Sequence, residues 1–220
     1  MIERLAWDSE FFGKKIGKIF VENDNLIFTD HFYDYDLVYI FSHRSLNVSA
    51  PLVDTKITFG KKTANKNPID GIVVFDNSIH EYDQLLSLVY LSGRDSRFRI
   101  PPFFTEEDFR RLYKRWIDRS IEEDNTKVLI YLQKNLILGF VTFGCIDNRA
   151  FIGLIAVSPN TQGQGVGRKL IQAVENSLAV ETFLTVPTQE INTRACNFYI
   201  KTGFEIIHKQ YIYHYVPNSL

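Results

Sequence analysis

The stretch "AVSPNTQGQGVGRKLIQAVENSL", Ala156 to Leu178, constrains the fold more than any other part of the chain. An apolar run ends in it, glycines fall at 163, 165 and 167, and an amphipathic segment follows. Glycine is used where the backbone takes positive φ or where something comes very close to it. A helix that starts after such a turn presents free N–H groups at the positive end of its dipole. The junction therefore reads as an anion site, and a phosphate is the first ligand to consider. The dinucleotide fingerprint G-x-G-x-x-G does not fit, because this spacing is one residue too tight and the turn lies late in the chain. Two readings remain open from the residues: a plain strand-to-helix turn, and a pyrophosphate clamp of another kind.

Composition narrows the classes. The chain has 220 residues, 45% hydrophobic and 23% charged, which is enough for one large domain or two small ones. A net charge of −1 offers no global basic field, so nucleic acid is not expected as a partner. Charges begin at the third residue, unlike a signal peptide, and no apolar run approaches the roughly 20 residues of a membrane helix. Cys145 and Cys196 have no C-x-x-C spacing. We expect reduced thiols, a cytoplasmic protein and no membrane insertion. His31, His43, His80, His208 and His214 form no metal-ligand spacing, so no metal is expected. G-x-S-x-G and G-x-x-x-x-G-K-[ST] are both absent.

The pattern of elements is α/β. "KIGKIFVEN" and "DLVYIF" read as strands from their β-branched and aromatic content. "APLVDTKITFGKK" alternates, with Leu52, Asp54 and Lys56 opposite Val53, Thr55 and Ile57, and a stop at Gly60. "DGIVVFDN" is a short strand, and Tyr82, Leu85, Leu86, Val89 and Tyr90 give a helix ending at Ser92-Gly93. Pro101-Pro102 interrupts regular structure, and Thr105 with Asp108 forms a capping-box pattern before a helix over Glu106–Glu122. Two strands around Lys134-Asn135 follow, then the strand "AFIGLIAV", the glycine turn, and a helix with Val166, Leu170, Ile171, Val174 and Leu178 inward. "TFLTVPTQ" reads as a buried strand, "TRACNFYIKTG" as a short helix closed by Gly203, and "FEIIHKQYIYHYV" as a long final strand. A boundary in residues 91–104 divides a smaller α+β lobe, 1–93, from a second part, 94–220.

Two motifs carry a resemblance. Gln162-x-x-Gly165-x-Gly167 after an apolar strand resembles the Q/R-x-x-G-x-G/A signature of the GCN5-related N-acetyltransferases. "NTRACNFYIKTGF" is similar to that family's second run at Asn192, Ala195, Tyr199, Gly203 and Phe204. The match covers Thr126 to Tyr215. "LAWDSEFFG" and "SRFRIPPFF" further resemble the TDP-fucosamine acetyltransferases.

The resemblance implies a mixed sheet with two splayed central strands and acetyl-CoA as co-substrate, with no metal. It implies contacts to the pantetheine arm from Leu154, Ile155, Ala156 and Val157. The pyrophosphate would lie on the backbone of Gln162, Gly163, Gln164, Gly165, Val166, Gly167 and Arg168, screened by Arg168 and Lys169. Asn192 would contact the cofactor, with a helix N-cap as its structural alternative. Tyr199 would be the general acid, with a core aromatic as the alternative. Asp8, Glu10 and His208 are the candidates for the base. The subfamily-like stretches place Trp7, Asp8, Phe11, Arg97 and Arg99 at the acceptor, a TDP-linked 4-amino-4,6-dideoxyhexose. A homodimer paired through C-terminal strands is expected from "QYIYHYV". Another amine acceptor, or a non-catalytic acyl-CoA-binding module, stands beside this expectation.

Overall fold

The computed structural model describes residues 1–22, 28–64 and 68–217, so Asn23, the last residue of the predicted first strand, lies outside the described residues. Ten strands are described: β1 (Glu3–Arg4), β2 (Ile16–Val21), β3 (Leu37–Ser42), β4 (Leu52–Lys62), β5 (Ile72–Val74), β6 (Thr126–Gln133), β7 (Leu136–Ile146), β8 (Arg149–Val157), β9 (Phe183–Gln189) and β10 (Glu205–Tyr215). Five α-helices accompany them: α1 (Ala6–Phe12), α2 (Tyr82–Ser92), α3 (Glu106–Glu122), α4 (Val166–Asn176) and α5 (Thr193–Lys201). All ten strands join one mixed sheet in the order β1-β2-β3-β10-β4-β9-β8-β7-β6-β5. Pairs β2/β3 and β8/β9 are parallel, and the others antiparallel. The α/β class and the mixed sheet expected from the sequence are what the structure has.

Local rules account for most elements. Thr105 Oγ1 accepts from the Asp108 N–H and the Asp108 carboxylate accepts from the Thr105 N–H, both at 3.0 Å, closing the capping box of α3. Lys134 and Asn135 take positive φ of 49° and 62° in the β6–β7 hairpin turn. Val166, Leu170, Ile171 and Val174 of α4 are buried with Leu129, Val141 and Phe143 of the sheet. Leu85 and Val89 of α2 and Phe109, Tyr113 and Ile117 of α3 pack with Val128, Ile130 and Phe140 instead. Neighbouring residues of β6 and β7 thus serve two separate cores, as the alternation of a strand requires.

Two expectations change, and one element is added. Gly60 does not stop β4: it is paired on both sides, with Glu205 and with Thr185, and the strand runs on to Lys62. The seven-residue α1 was not foreseen; it is too short for a helical period and its N-terminus has no side-chain cap. "QYIYHYV" is not a sheet edge. Tyr211, Ile212 and Tyr213 pair with β3 on one side and β4 on the other, so this stretch has no free ladder for a second copy to extend.

Candidate active site

The site begins where two parallel strands part. β8 and β9 pair at Arg149–Phe183, Ala150–Leu184 and Phe151–Thr185, and then stop. Beyond that point β8 stays with β7 as far as Val157, and β9 stays with β4 as far as Gln189. The β9-facing edge of β8 from Ile152 to Val157 therefore has no ladder partner. A register shift between Val141 and Phe143 marks the bend, where Thr142 Oγ1 accepts the Leu154 N–H at 2.9 Å.

A cleft of about 350 Å³ opens beside the β8 edge. Ile155, Ala156 and Val157 line it from β8, and Gln162, Gly163, Gly165, Val166, Gly167 and Arg168 from the turn and the start of α4. Gly163 and Gly165 both have φ of +82°, and a Cβ at either would meet no atom within 4 Å. Their need for glycine is conformational, and the space in front of them is open. Gly167 differs: a Cβ there would come within 3.1 Å of the Phe198 ring, so α4 and α5 approach through it. The N–H groups of Gly163, Gly165, Val166, Gly167 and Arg168 have no acceptor among the described residues. Gln164 is the exception within the predicted stretch. Its N–H donates to Thr161 O and its side chain to Asn160 O, which takes it out of the cleft. Gln162 acts as a tie: its Nε2 donates to Val157 O at 3.0 Å and its Oε1 accepts from Arg194 of α5.

α5 delivers the remaining groups. Asn192 caps it, Oδ1 accepting from the Ala195 N–H at 3.1 Å, and also lines the cleft. Tyr199 is only 3% exposed and touches Phe59 and Phe204, yet its hydroxyl makes no hydrogen bond with a described residue. Burial, and secondarily the Cys196 thiol, pushes that hydroxyl well above the ordinary tyrosine range. It holds its proton at neutral pH.

A second cavity of about 390 Å³ meets the first at Ser92, Ile155, Asn192, Ala195 and Tyr199. Leu154 lines this second space, not the first. Three charged side chains line it: Asp54 and Lys56 of β4, and Arg97 from the turn before α3. Arg97 donates from Nη1 to His214 Nε2 at 2.7 Å and lies over the Tyr39 ring at 4.2 Å. Burial raises the Asp54 carboxyl to about 6, against the opposing charges of Arg97 and Lys56. Burial lowers Lys56 from the ordinary lysine value.

The other residues expected at the acceptor are elsewhere. Trp7, Asp8, Phe11 and Arg99 line neither cavity. Trp7 stacks on Phe11 at 4.9 Å, Arg111 covers Phe11, and Arg99 is bound by Glu106. The two subfamily-like stretches do meet, through Phe12, Phe98 and Phe104, and so build one wall. Of the base candidates, Asp8, Glu10 and His208 line neither cavity, and His208 is bonded to His43 at 3.1 Å. Asp54 and Lys56 were not singled out; two charges at i, i+2 in a strand was the available signal.

A split pair of parallel strands, with a glycine turn leading into a helix beside it, leaves unpaired backbone groups along one cleft. A model of the acetyltransferase (GNAT) family matches residues 93–204, just over half of the chain. The chain belongs to this family, whose members use acetyl-CoA. Solved structures share the fold. A functionally unknown conserved protein from Staphylococcus epidermidis ATCC 12228 superposes with a TM-score of 0.57 at 17% identity, covering 81% of this chain and 72% of that one. A GCN5-related N-acetyltransferase from Sphaerobacter thermophilus gives 0.51 at 14% identity, over 81% of this chain and 60% of its own. Another from Kribbella flavida gives 0.51 at 10% identity, over 83% and 69%. A search of curated proteins gave no significant match. Among the described residues no group of His, Cys, Asp and Glu is arranged to hold a metal, and no helix is long and apolar enough to cross a membrane.

Proposed function

We propose that this protein transfers an acetyl group from acetyl-CoA to an amine held in the second cavity. The meeting of the two cavities at Tyr199, across a gap in the sheet, carries this reading. The free N–H groups of Gly163, Gly165, Val166, Gly167 and Arg168 suit a pyrophosphate at the positive end of α4. The unpaired edge of β8 suits a ligand arm that carries amides. Tyr199, buried and protonated, serves as the proton donor to the departing thiolate. A thioester carbonyl in the gap would have backbone donors of β8 for its oxyanion.

For the acceptor we read a TDP-linked 4-amino-4,6-dideoxyhexose. Arg97 and Lys56 offer two cations to a diphosphate, and Phe41, Phe98 and Trp116 offer rings to a pyrimidine. An assay of thiol release with a panel of amines tests both levels. The nucleotide sugar is expected to exceed simple amines by at least about tenfold in kcat/KM, which needs about 1.4 kcal/mol of transition-state binding. A polyamine or peptide that proves the better substrate overturns the sugar and leaves the transferase. Acetyl-CoA binding with transfer to no amine overturns the transferase.

A further inference from the structure

The second cavity contains one carboxylate, and acetyl transfer to an amine has a step that needs one. An amine arrives in water as an ammonium, with no lone pair to attack a thioester. Something on the acceptor side must take its proton.

We infer that Asp54 is that proton acceptor, a catalytic residue of the transfer reaction proposed above, on which this inference rests. Asp54 lies on β4 opposite Ile212 of β10 and lines the same cavity as Tyr199 of α5. The reacting nitrogen would then sit between a base and an acid presented by different elements. In the proposed sequence an N–H bond of the ammonium breaks, its proton goes to the Asp54 carboxylate, and the pair stays on nitrogen. That pair forms the C–N bond at the thioester carbonyl, whose π electrons move to oxygen. The oxyanion collapses, the C–S bond breaks, and the thiolate takes the Tyr199 proton. The excess proton on the new amide nitrogen returns to Tyr199 through water, and Asp54 gives its own to solvent. One proton is released per turnover.

The surroundings of Asp54 fit a base that works near neutrality. Burial raises its carboxyl to about 6, so it is ionised at pH 7 but holds a proton far better than a surface aspartate. The charged groups that face it are Lys56 on its own strand and Arg97 from the turn before α3. The Tyr113 phenol faces it from α3. On β10, His214 lies behind Arg97 and stays neutral. On β9 the cavity residues Thr188 and Gln189 carry no charge. The two cations keep Asp54 from rising further, and they also repel a bare ammonium. The carboxylate is then the one described group of this cavity that draws the amine in.

The test compares wild type, Asp54→Asn and Asp54→Glu in kcat/KM from pH 5 to 9, with the best acceptor of the panel. Acetyl-CoA affinity and thermal melting are measured alongside. Asp54→Asn is expected to lose about 10²-fold or more at pH 7. Its acetyl-CoA affinity should stay within a few-fold, and the acid limb near pH 6 should disappear. Its rate should then rise about tenfold per pH unit toward the amine's own pKa. Asp54→Glu, which keeps a carboxylate but sets it one methylene further from the strand, should recover part of the rate, with its acid limb displaced from the wild-type pH. An Asn variant with the wild-type profile overturns the inference and spares the transferase. A rise in KM alone, with kcat and the pH limb unchanged, also overturns it, since Asp54 would then only anchor the ammonium. Should Asp54→Asn fail to fold, Asp54→Glu decides: a wild-type limb at unaltered pH overturns the assignment. Wild-type protein that transfers to no amine overturns both readings together.

Discussion

Tyr199 is a residue whose two roles separate cleanly. It is packed like a core side chain, but its hydroxyl has no hydrogen-bond partner among the described residues and lies where two cavities join. Tyr199→Phe removes no internal hydrogen bond, so melting should be unchanged within about 0.5 kcal/mol. The proposed proton donor is lost, so kcat should fall by about 10²–10⁴-fold, with acetyl-CoA affinity within a few-fold in calorimetry. A Phe variant with wild-type kcat, where chemistry limits the rate, makes Tyr199 a packing residue. His214 is the opposite case, fully buried and outside the chemistry. Its Nε2 accepts from Arg97, so the imidazole is neutral, and burial with the adjacent guanidinium depresses it to about 2. The unfolded chain takes up that proton near pH 6.5 and the native one does not, so stability is fully present above 6.5 and lost as pH falls. The expected loss is about 1.4 kcal/mol per pH unit below 6.5. Denaturant melts at pH 7.5 and 5.5 should show this slope in wild type and not in His214→Gln, which keeps an acceptor for Arg97. At this scale the sequence made Tyr199, Asn192 and Gln162 legible because each lies in a short contiguous pattern. Asp54 and Lys56 were hidden, since two polar residues alternating along a strand look the same whether they face water or a cavity. Trp7, Phe11 and Arg99 misled for the converse reason: a familiar stretch shows which residues are present, not which of them reach the cavity.

Among the elements, α4 and its turn show how local sequence leaves a row of backbone donors unpaired. Gly165 is the N-cap residue of α4 in left-handed geometry, and no side chain caps the helix. A Ser or Asp cap would have satisfied an N–H of the first turn; its absence leaves those donors for a ligand. Gly165→Glu forces positive φ on a residue with a Cβ and places a carboxylate before the donors. Calorimetry is expected to show acetyl-CoA binding lost, and equal affinity in the two proteins would remove the turn from the site. The turn was readable because its constraint is local: positive φ requires glycine whatever surrounds it. The splay of β8 from β9 was not readable from residue types. It depends on where two strands far apart in sequence stop pairing, and on a bulge at Thr142 that no pattern announces. The resemblance supplied it instead.

The whole sheet has a consequence that neither motif nor element contains. β9 and β10 follow one another around α5, yet they are not neighbours: β4, from residues 52–62, lies between them and pairs with both. β4 also contributes the buried Ile57 and Phe59 to the core around Tyr199 and Leu184. The stretch matched by the family model, residues 93–204, includes neither β4 nor β10. A hydrophobic pattern read along the chain finds β4 as a strand but does not say that it inserts into the later part. We therefore expect a fragment of residues 94–220 to lack an independent fold. Without β4, β9 and β10 would each expose a ladder of unpaired N–H and C=O groups, and the core would lose an entire strand of apolar contacts. The fragment should show no cooperative melt and no acetyl-CoA binding. Supplying residues 1–93 as a separate chain should restore both, because β4 then fills its slot without a covalent link. Circular dichroism and calorimetry on the fragment alone, and then on the mixed pair, decide the matter. A lone fragment that melts cooperatively and binds acetyl-CoA would show that β9 and β10 close on each other, and that β4 only carries Asp54 and Lys56 to the acceptor.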